Sequence, residues 1–247
     1  MTRSLILGGT KGLGRALAIA SLERGIVPVV FGRSAATAEG DPALAGADLR
    51  PADLTNPRAL ENLPPGVYEG VAYVFWVAGA FLRKPLTECG TDEIAAMADL
   101  HFTGPLCALA TIHRMMKLAW PLSDSPGRPY HLVTVASTSS WRLREHETVY
   151  CALKAAKAHF TRNFARELAA DLPGSKTALV NPGGMKTPNF WNLRQDTSGF
   201  MEPAAVAGII WSRALAQAAS YDEYSIMREP DGAPRIEEGV RMPEIPR

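Results

Sequence analysis

The sequence predicts an α/β fold, a doubly wound parallel sheet with helices on both faces. Three observations carry this. Strand-like and helix-like segments alternate along the chain, as they do when helices cover both faces of a sheet. Val71 to Val77 is a continuous apolar run, the pattern of a strand buried on both faces. The first strand-like segment runs directly into a glycine-rich turn and then a helical pattern.

Taken in order, Ser4-Leu5-Ile6-Leu7 has strand length, and Leu13, Leu17, Ala20 and Leu22 fall at helical spacing up to Gly25. Val27 to Phe31 reads as a second strand and Ala47-Asp48-Leu49 as a weak third. The stretch between them, Ser34 to Gly46, is short for a full helix. Val71 to Val77 is the fourth strand. Thr91 to Trp120 reads as two helices broken near Gly104-Pro105, since proline cannot donate within a helix. A fifth strand over Tyr130–Ala136, a helix over Val149–Leu172, a sixth strand over Thr177–Val180 and a helix over Pro203–Ala219 follow. No linker divides the chain. The reading is one domain over 1–228 and a tail, 229–247, rich in proline and charge and without assigned structure.

Composition narrows the function. Apolar residues make up 47% and charged residues 21%, ordinary for a globular chain of 247 residues. A net charge of +1 gives no reason to expect nucleic acid or an anionic membrane as partner. The apolar run from Val71 to Leu82 is too short to span a bilayer. The N-terminus lacks the pattern of a secretory signal. The 3 cysteines, Cys89, Cys107 and Cys151, suggest no disulfide framework and fit a reducing, cytoplasmic setting. His101, His113, His131, His146 and His159 show no metal-ligand spacing, so no metal is expected.

Two motifs carry chemistry. The first is Gly8-Gly9-Thr10-Lys11-Gly12-Leu13-Gly14. Gly8 permits a tight turn, Gly12 a close approach of backbone to a pyrophosphate, and Gly14 close packing of helix on strand. The helix start offers N–H donors and a positive dipole end to phosphate. The second is Tyr150 and Lys154, which share a helix face at i and i+4, with Ser137 upstream. An ammonium beside a phenol favours phenolate, which draws the tyrosine below its usual value of about 10 and fits it for acid–base work. The pair by itself is equally a half-buried ring and a solvated amine; the surrounding motifs give it weight.

With these motifs in order, the chain resembles the short-chain dehydrogenase/reductase family, and the resemblance implies a single Rossmann-fold domain. It implies Ser137, Tyr150 and Lys154 as catalytic residues, with Lys154 also binding the nicotinamide ribose. It places a cofactor on Gly8, Thr10, Lys11, Gly12, Leu13, Gly14, Arg33, Ser34, Asp53, Leu54, Ala78, Gly79, Tyr150, Lys154, Pro182, Gly183 and Thr187. A homo-oligomer is implied as well. Two departures stand out: Val77 where the family usually has asparagine in this turn, and His101 where it has the tetrad asparagine. Histidine can donate, accept and titrate near neutrality, so His101 is a candidate catalytic relay or pocket residue, or else a space-filling core side chain.

The second strand ends in Val30-Phe31-Gly32-Arg33-Ser34, with no carboxylate to accept a ribose hydroxyl. Arg33 and Lys11 are suited to a phosphate, which predicts NADP(H) over NAD(H). Ligands of open α/β sheets bind beyond the carboxyl ends of the strands. Trp141, Phe190 and Trp191 are expected there, with 188–202 as a lid, and they point to a compact, largely apolar carbonyl or alcohol. Arg142 and Arg194 allow a second choice, an anionic substrate. The leading function is an NADP(H)-dependent alcohol–carbonyl oxidoreductase. Its alternatives are a non-catalytic NADP(H)-binding sensor on the same fold, or a family enzyme using the Tyr/Lys pair for isomerisation or dehydration.

Overall fold

The computed structural model describes residues 1–118, 128–187 and 196–239. Phe190, Trp191, Arg194, most of the expected lid and the end of the tail lie outside them. In chain order the elements are β1 (Arg3–Leu7), α1 (Gly12–Leu22), β2 (Val27–Gly32), α2 (Ala35–Ala38), β3 (Asp48–Pro51), β4 (Val71–Trp76), α3 (Thr91–Ala98), α4 (Gly104–Leu118), β5 (His131–Val135), α5 (Thr148–Asp171), β6 (Lys176–Pro182), α6 (Pro203–Ala216), β7 (Tyr221–Arg228) and β8 (Pro234–Glu238).

The strands form one sheet in the order β3-β2-β1-β4-β5-β6-β7-β8. Every pairing is parallel except β7 with β8. Successive side chains on a strand point to opposite faces, and β1 shows the consequence. Leu5 and Leu7 join Val29, Phe31, Val74, Trp76 and Leu132 in the core under α4 and α5, where Ile112, Met116, Phe164 and Leu168 pack. Ile6, Val30, Phe75 and Val133 join the opposite core with Leu13 and Leu17 of α1 and Ile210 and Trp211 of α6. Trp211 Nε1 also donates to the Leu17 carbonyl at 3.1 Å, tying the two helices. Because both faces are covered, the inner strands read as apolar runs without alternation.

The structure departs from the sequence reading at two points and matches it at another. The region from Thr91 is not broken at Gly104-Pro105; Asp99–Thr103 forms a π-turn that continues α3 into α4. Pro105 has no N–H for the His101 carbonyl four residues earlier, and the wide turn absorbs that loss. Gly104 is there for proximity: a Cβ would lie 1.8 Å from the Leu54 carbonyl oxygen. The joined helix, Thr91–Leu118, matches a membrane span in length and composition. Its stripe of Ala108, Leu109, Ile112 and Met116 nevertheless packs on the sheet. Second, α2 has only 4 residues, as the short stretch between the second and third strands required. Third, β7 was not legible, and part of the tail forms β8, an antiparallel edge strand.

The strand order turns back beside β1, between β2 and β4, and the loops leaving the carboxyl ends of β1, β2, β4, β5 and β6 converge there. This is the switch point at which such sheets open a crevice.

Candidate active site

A cleft of about 800 Å³ lies at this crevice. The loop after β1 forms its floor. Gly8 has φ +93, and a Cβ there would fall 2.7 Å from Ala78 Cα; a Cβ on Gly14 would fall 2.0 Å from the Gly8 carbonyl oxygen. No larger residue fits either position without moving backbone. Helix α1 opens into the cleft with no side-chain cap and no acidic residue in its first turn. Its leading N–H groups are therefore available to an anion. This cradle fits a dinucleotide's phosphates.

At one end, Thr10, Lys11, Arg33 and Ser34 line the wall, followed by Leu54. Asp53 is not among the residues that line the cleft. Its Oδ1 accepts from Thr55 N (3.0 Å) and Thr55 Oγ1 (2.8 Å). These bonds, with the Arg33 charge adding, hold its carboxyl below the usual range.

At the other end, Ser137 caps a short 3-10 turn, its Oγ accepting from Ser139 N at 3.1 Å. Tyr150 lies in the first turn of α5 and Lys154 one turn on, and all three line the cleft. The Lys154 Nζ lies 5.5 Å from the Tyr150 ring centroid. The phenol ring is boxed edge-on by Phe81 at 5.0 Å and His101 at 5.6 Å. Burial pushes the Tyr150 phenol up to about 12, with a hydrogen bond from Ser137 pulling the other way. The expectation that Lys154 brings this phenol down is thus not met: desolvation is the largest effect on it, and the ammonium sits over the ring. Burial draws Lys154 itself down to about 8.

His101 sits in the π-turn, fully buried and outside the cleft lining. Its Nε2 faces the backbone of Ala80, 2.8 Å from the N–H and 2.7 Å from the carbonyl. Gly79 makes room, since a Cβ would lie 2.8 Å from His101 Cε1. Burial, with the charges of Lys154 and Lys157 adding, drives its pKa down to about 2, so the imidazole is neutral at neutral pH. It can pass hydrogen bonds but does not titrate near pH 7.

The remaining sequence candidates divide. Ala78, Gly79, Pro182, Gly183 and Thr187 line the cleft. Trp141 does not line it; its ring lies under the Arg142 guanidinium at 4.9 Å, and Arg142 does line it. Phe190 and Trp191 fall outside the described residues. Sequence reasoning missed Phe81, Leu143 and Met227 in the lining, and Lys157 behind it. Phe81 had a signal, an aromatic just beyond Ala78-Gly79; Lys157 had none, since a lysine on a helix is ordinarily solvated.

Known proteins share this fold. A sequence profile described as short chain dehydrogenase matches residues 3–198, and the chain belongs to that family. Among curated relatives, an uncharacterized oxidoreductase of Staphylococcus aureus (strain USA300) is 28% identical over 191 residues, 74% of this chain and 78% of the relative. Among solved structures, a 3-ketoacyl-(acyl-carrier-protein) reductase from Brucella melitensis complexed with NADH superposes with a TM-score of 0.77 at 19% identity, over 92% of this chain and 96% of that one. An alcohol dehydrogenase from Thermococcus sibiricus complexed with 5-hydroxy-NADP gives 0.73 at 20% identity, over 92% and 96%. At these identities the structures establish the fold.

Proposed function

We propose that this family member is an NADP(H)-dependent oxidoreductase that interconverts an alcohol and a carbonyl on a compact, largely apolar small molecule. The observation that carries the reading is one cleft that joins the glycine cradle after β1 to Ser137, Tyr150 and Lys154. A nicotinamide nucleotide supplies or accepts the hydride when bound. Thr10, Lys11, Arg33 and Ser34 would hold its adenosine end, with Gly12, Leu13 and Gly14 at the phosphates and Pro182, Gly183 and Thr187 toward the nicotinamide. The preference for NADP(H) rests on Arg33 and Lys11. Among the described lining residues the carboxylates are Glu145 and Glu147, which belong to the loop before α5, at the reacting end.

The chain's own groups then do the following. With its pKa pushed up, Tyr150 is a phenol at neutral pH and exchanges its proton with the substrate oxygen as hydride passes. Ser137 donates a hydrogen bond to the same oxygen and stabilises the charge that develops there. Lys154 holds positive charge against the tyrosine as it gives up its proton and, as the family resemblance implies, takes the ribose of the cofactor. Phe81, Leu143 and Phe200 give the reacting end apolar walls. Free cysteines at 89, 107 and 151 suit a reducing cytoplasm, and a homo-oligomer is the family expectation.

The test is a panel of aldehydes, ketones and alcohols with NADPH and NADH. Tyr150→Phe keeps the ring and removes the proton. It should lower turnover by about 100- to 10,000-fold while NADPH binding stays within a factor of a few. Turnover retained in that variant refutes the assignment.

A further inference from the structure

Lys157 lies three residues beyond Lys154 on α5, and the reaction above gives it no task. Its side chain is 0% exposed, a place lysine almost never takes unless paired. Among the described residues no carboxylate lies within ion-pair distance of it. Instead its Nζ donates to the Trp76 carbonyl at 3.0 Å and, at the limit of a hydrogen bond, to the Ala78 carbonyl at 3.5 Å. It also stands 4.5 Å above the centroid of the Trp76 ring.

Those two carbonyls flank Val77, where β4 leaves the sheet and becomes the cleft wall of Val77, Ala78, Gly79 and Ala80. The N–H side of the same turn is already fixed, because Val77 N and Ala78 N both donate to the Leu7 carbonyl, at 3.0 and 2.7 Å. His101 supports the far end at Ala80. Val77 has no polar side-chain atom with which to tie its own turn, so the two carbonyls depend on a donor from outside. An amine has enough donors for both whether or not it carries the extra proton. Burial, with the Lys154 charge adding, holds its pKa well below the ordinary value for lysine. A buried amine without a carboxylate costs stability, and such local violations are expected at functional sites.

We propose that Lys157 is a positioning residue for the cofactor pocket: by holding the Trp76 and Ala78 carbonyls it sets the wall from Val77 to Ala80 against which the nicotinamide nucleotide binds. This rests on the reading of the cleft as a nucleotide site.

The experiment compares wild type with Lys157→Met, which keeps the length of the chain and removes the donors. Met116→Ala serves as a control, a buried truncation in the same apolar core as Trp76. NADPH dissociation constants are measured by fluorescence titration below the unfolding transition of each protein, and Tm by circular dichroism. Lys157→Met should raise the NADPH Kd at least tenfold while Tm is unchanged or higher, since an unpaired amine has left the core. Met116→Ala should lower Tm and leave Kd unchanged. A merely structural lysine would move Tm without this selective loss of binding. An unchanged Kd in Lys157→Met, or a loss that Met116→Ala reproduces, overturns the assignment. Should Lys157→Met fail to fold, Lys157→Leu, which also removes the donors, is held to the same criterion. Wild type that binds neither NADPH nor NADH overturns the underlying reading instead.

Discussion

His101→Asn should flatten the dependence of stability on pH, and the size of the effect follows from where the ring lies. In the folded protein His101 has its pKa driven from 6.5 to about 2, chiefly by burial. The folded value is the lower one, so as pH falls below about 6.5 the unfolded chain takes up a proton that the folded protein refuses. Stability tied to this group is therefore fully present above 6.5 and is lost progressively as pH falls toward 2. Between pH 8 and pH 5 the loss spans about 1.5 pH units below 6.5, which at 1.36 kcal/mol per unit is about 2 kcal/mol. His131, held down at about 4, again chiefly by burial, adds a comparable loss over the same interval. Wild type should thus lose about 4 kcal/mol from the two rings. Asparagine can donate and accept at the Ala80 backbone but does not titrate, so the variant should lose about 2 kcal/mol less than wild type. Equilibrium urea unfolding at pH 8 and pH 5 measures this. Whatever the substitution costs at pH 8 cancels in the difference between the two conditions. An identical pH dependence in wild type and variant would refute the argument and show that the ring protonates within the fold.

Two further outcomes test the cleft from its ends. Arg33→Asp should weaken NADPH by about 1.5–3 kcal/mol, the range for a hydrogen bond to a charged group, and improve NADH; equal wild-type affinity for the two nucleotides in titrations would remove the basis for an NADP(H) preference. Trp141→Ala, assayed on a substrate from the carbonyl panel, should raise KM several-fold through the loss of support for Arg142 while the NADPH Kd stays put; if it and Trp191→Ala both leave KM and turnover as they were, the substrate lies elsewhere.

What the sequence determined by itself was whatever local pattern dictates. The glycine positions around Gly8 and Gly14 mark a turn only small residues permit, and the structure shows backbone atoms where any Cβ would stand. The apolar run from Val71 marks a strand covered on both faces, and the i, i+4 spacing of Tyr150 and Lys154 puts both on one wall of the cleft. Strand β7 escaped notice because Tyr221-Asp222-Glu223-Tyr224 carries two carboxylates that meet arginines from other elements. Glu223 receives Arg162 at 2.7 Å and Tyr221 at 2.6 Å, and Asp222 receives Arg213 at 2.9 Å, so the segment reads as surface although it pairs with β6. Only the tertiary structure decided the state of the buried polar groups. Whether His101 titrates, whether Tyr150 is drawn up or down, and whether Lys157 meets water or the Trp76 carbonyl are all set by desolvation and by partners far away in the chain. Spacing along a helix fixes the face on which a side chain lies. What that face meets depends on the packing of other elements, and the low-dielectric surroundings so created set the state of the buried groups on it.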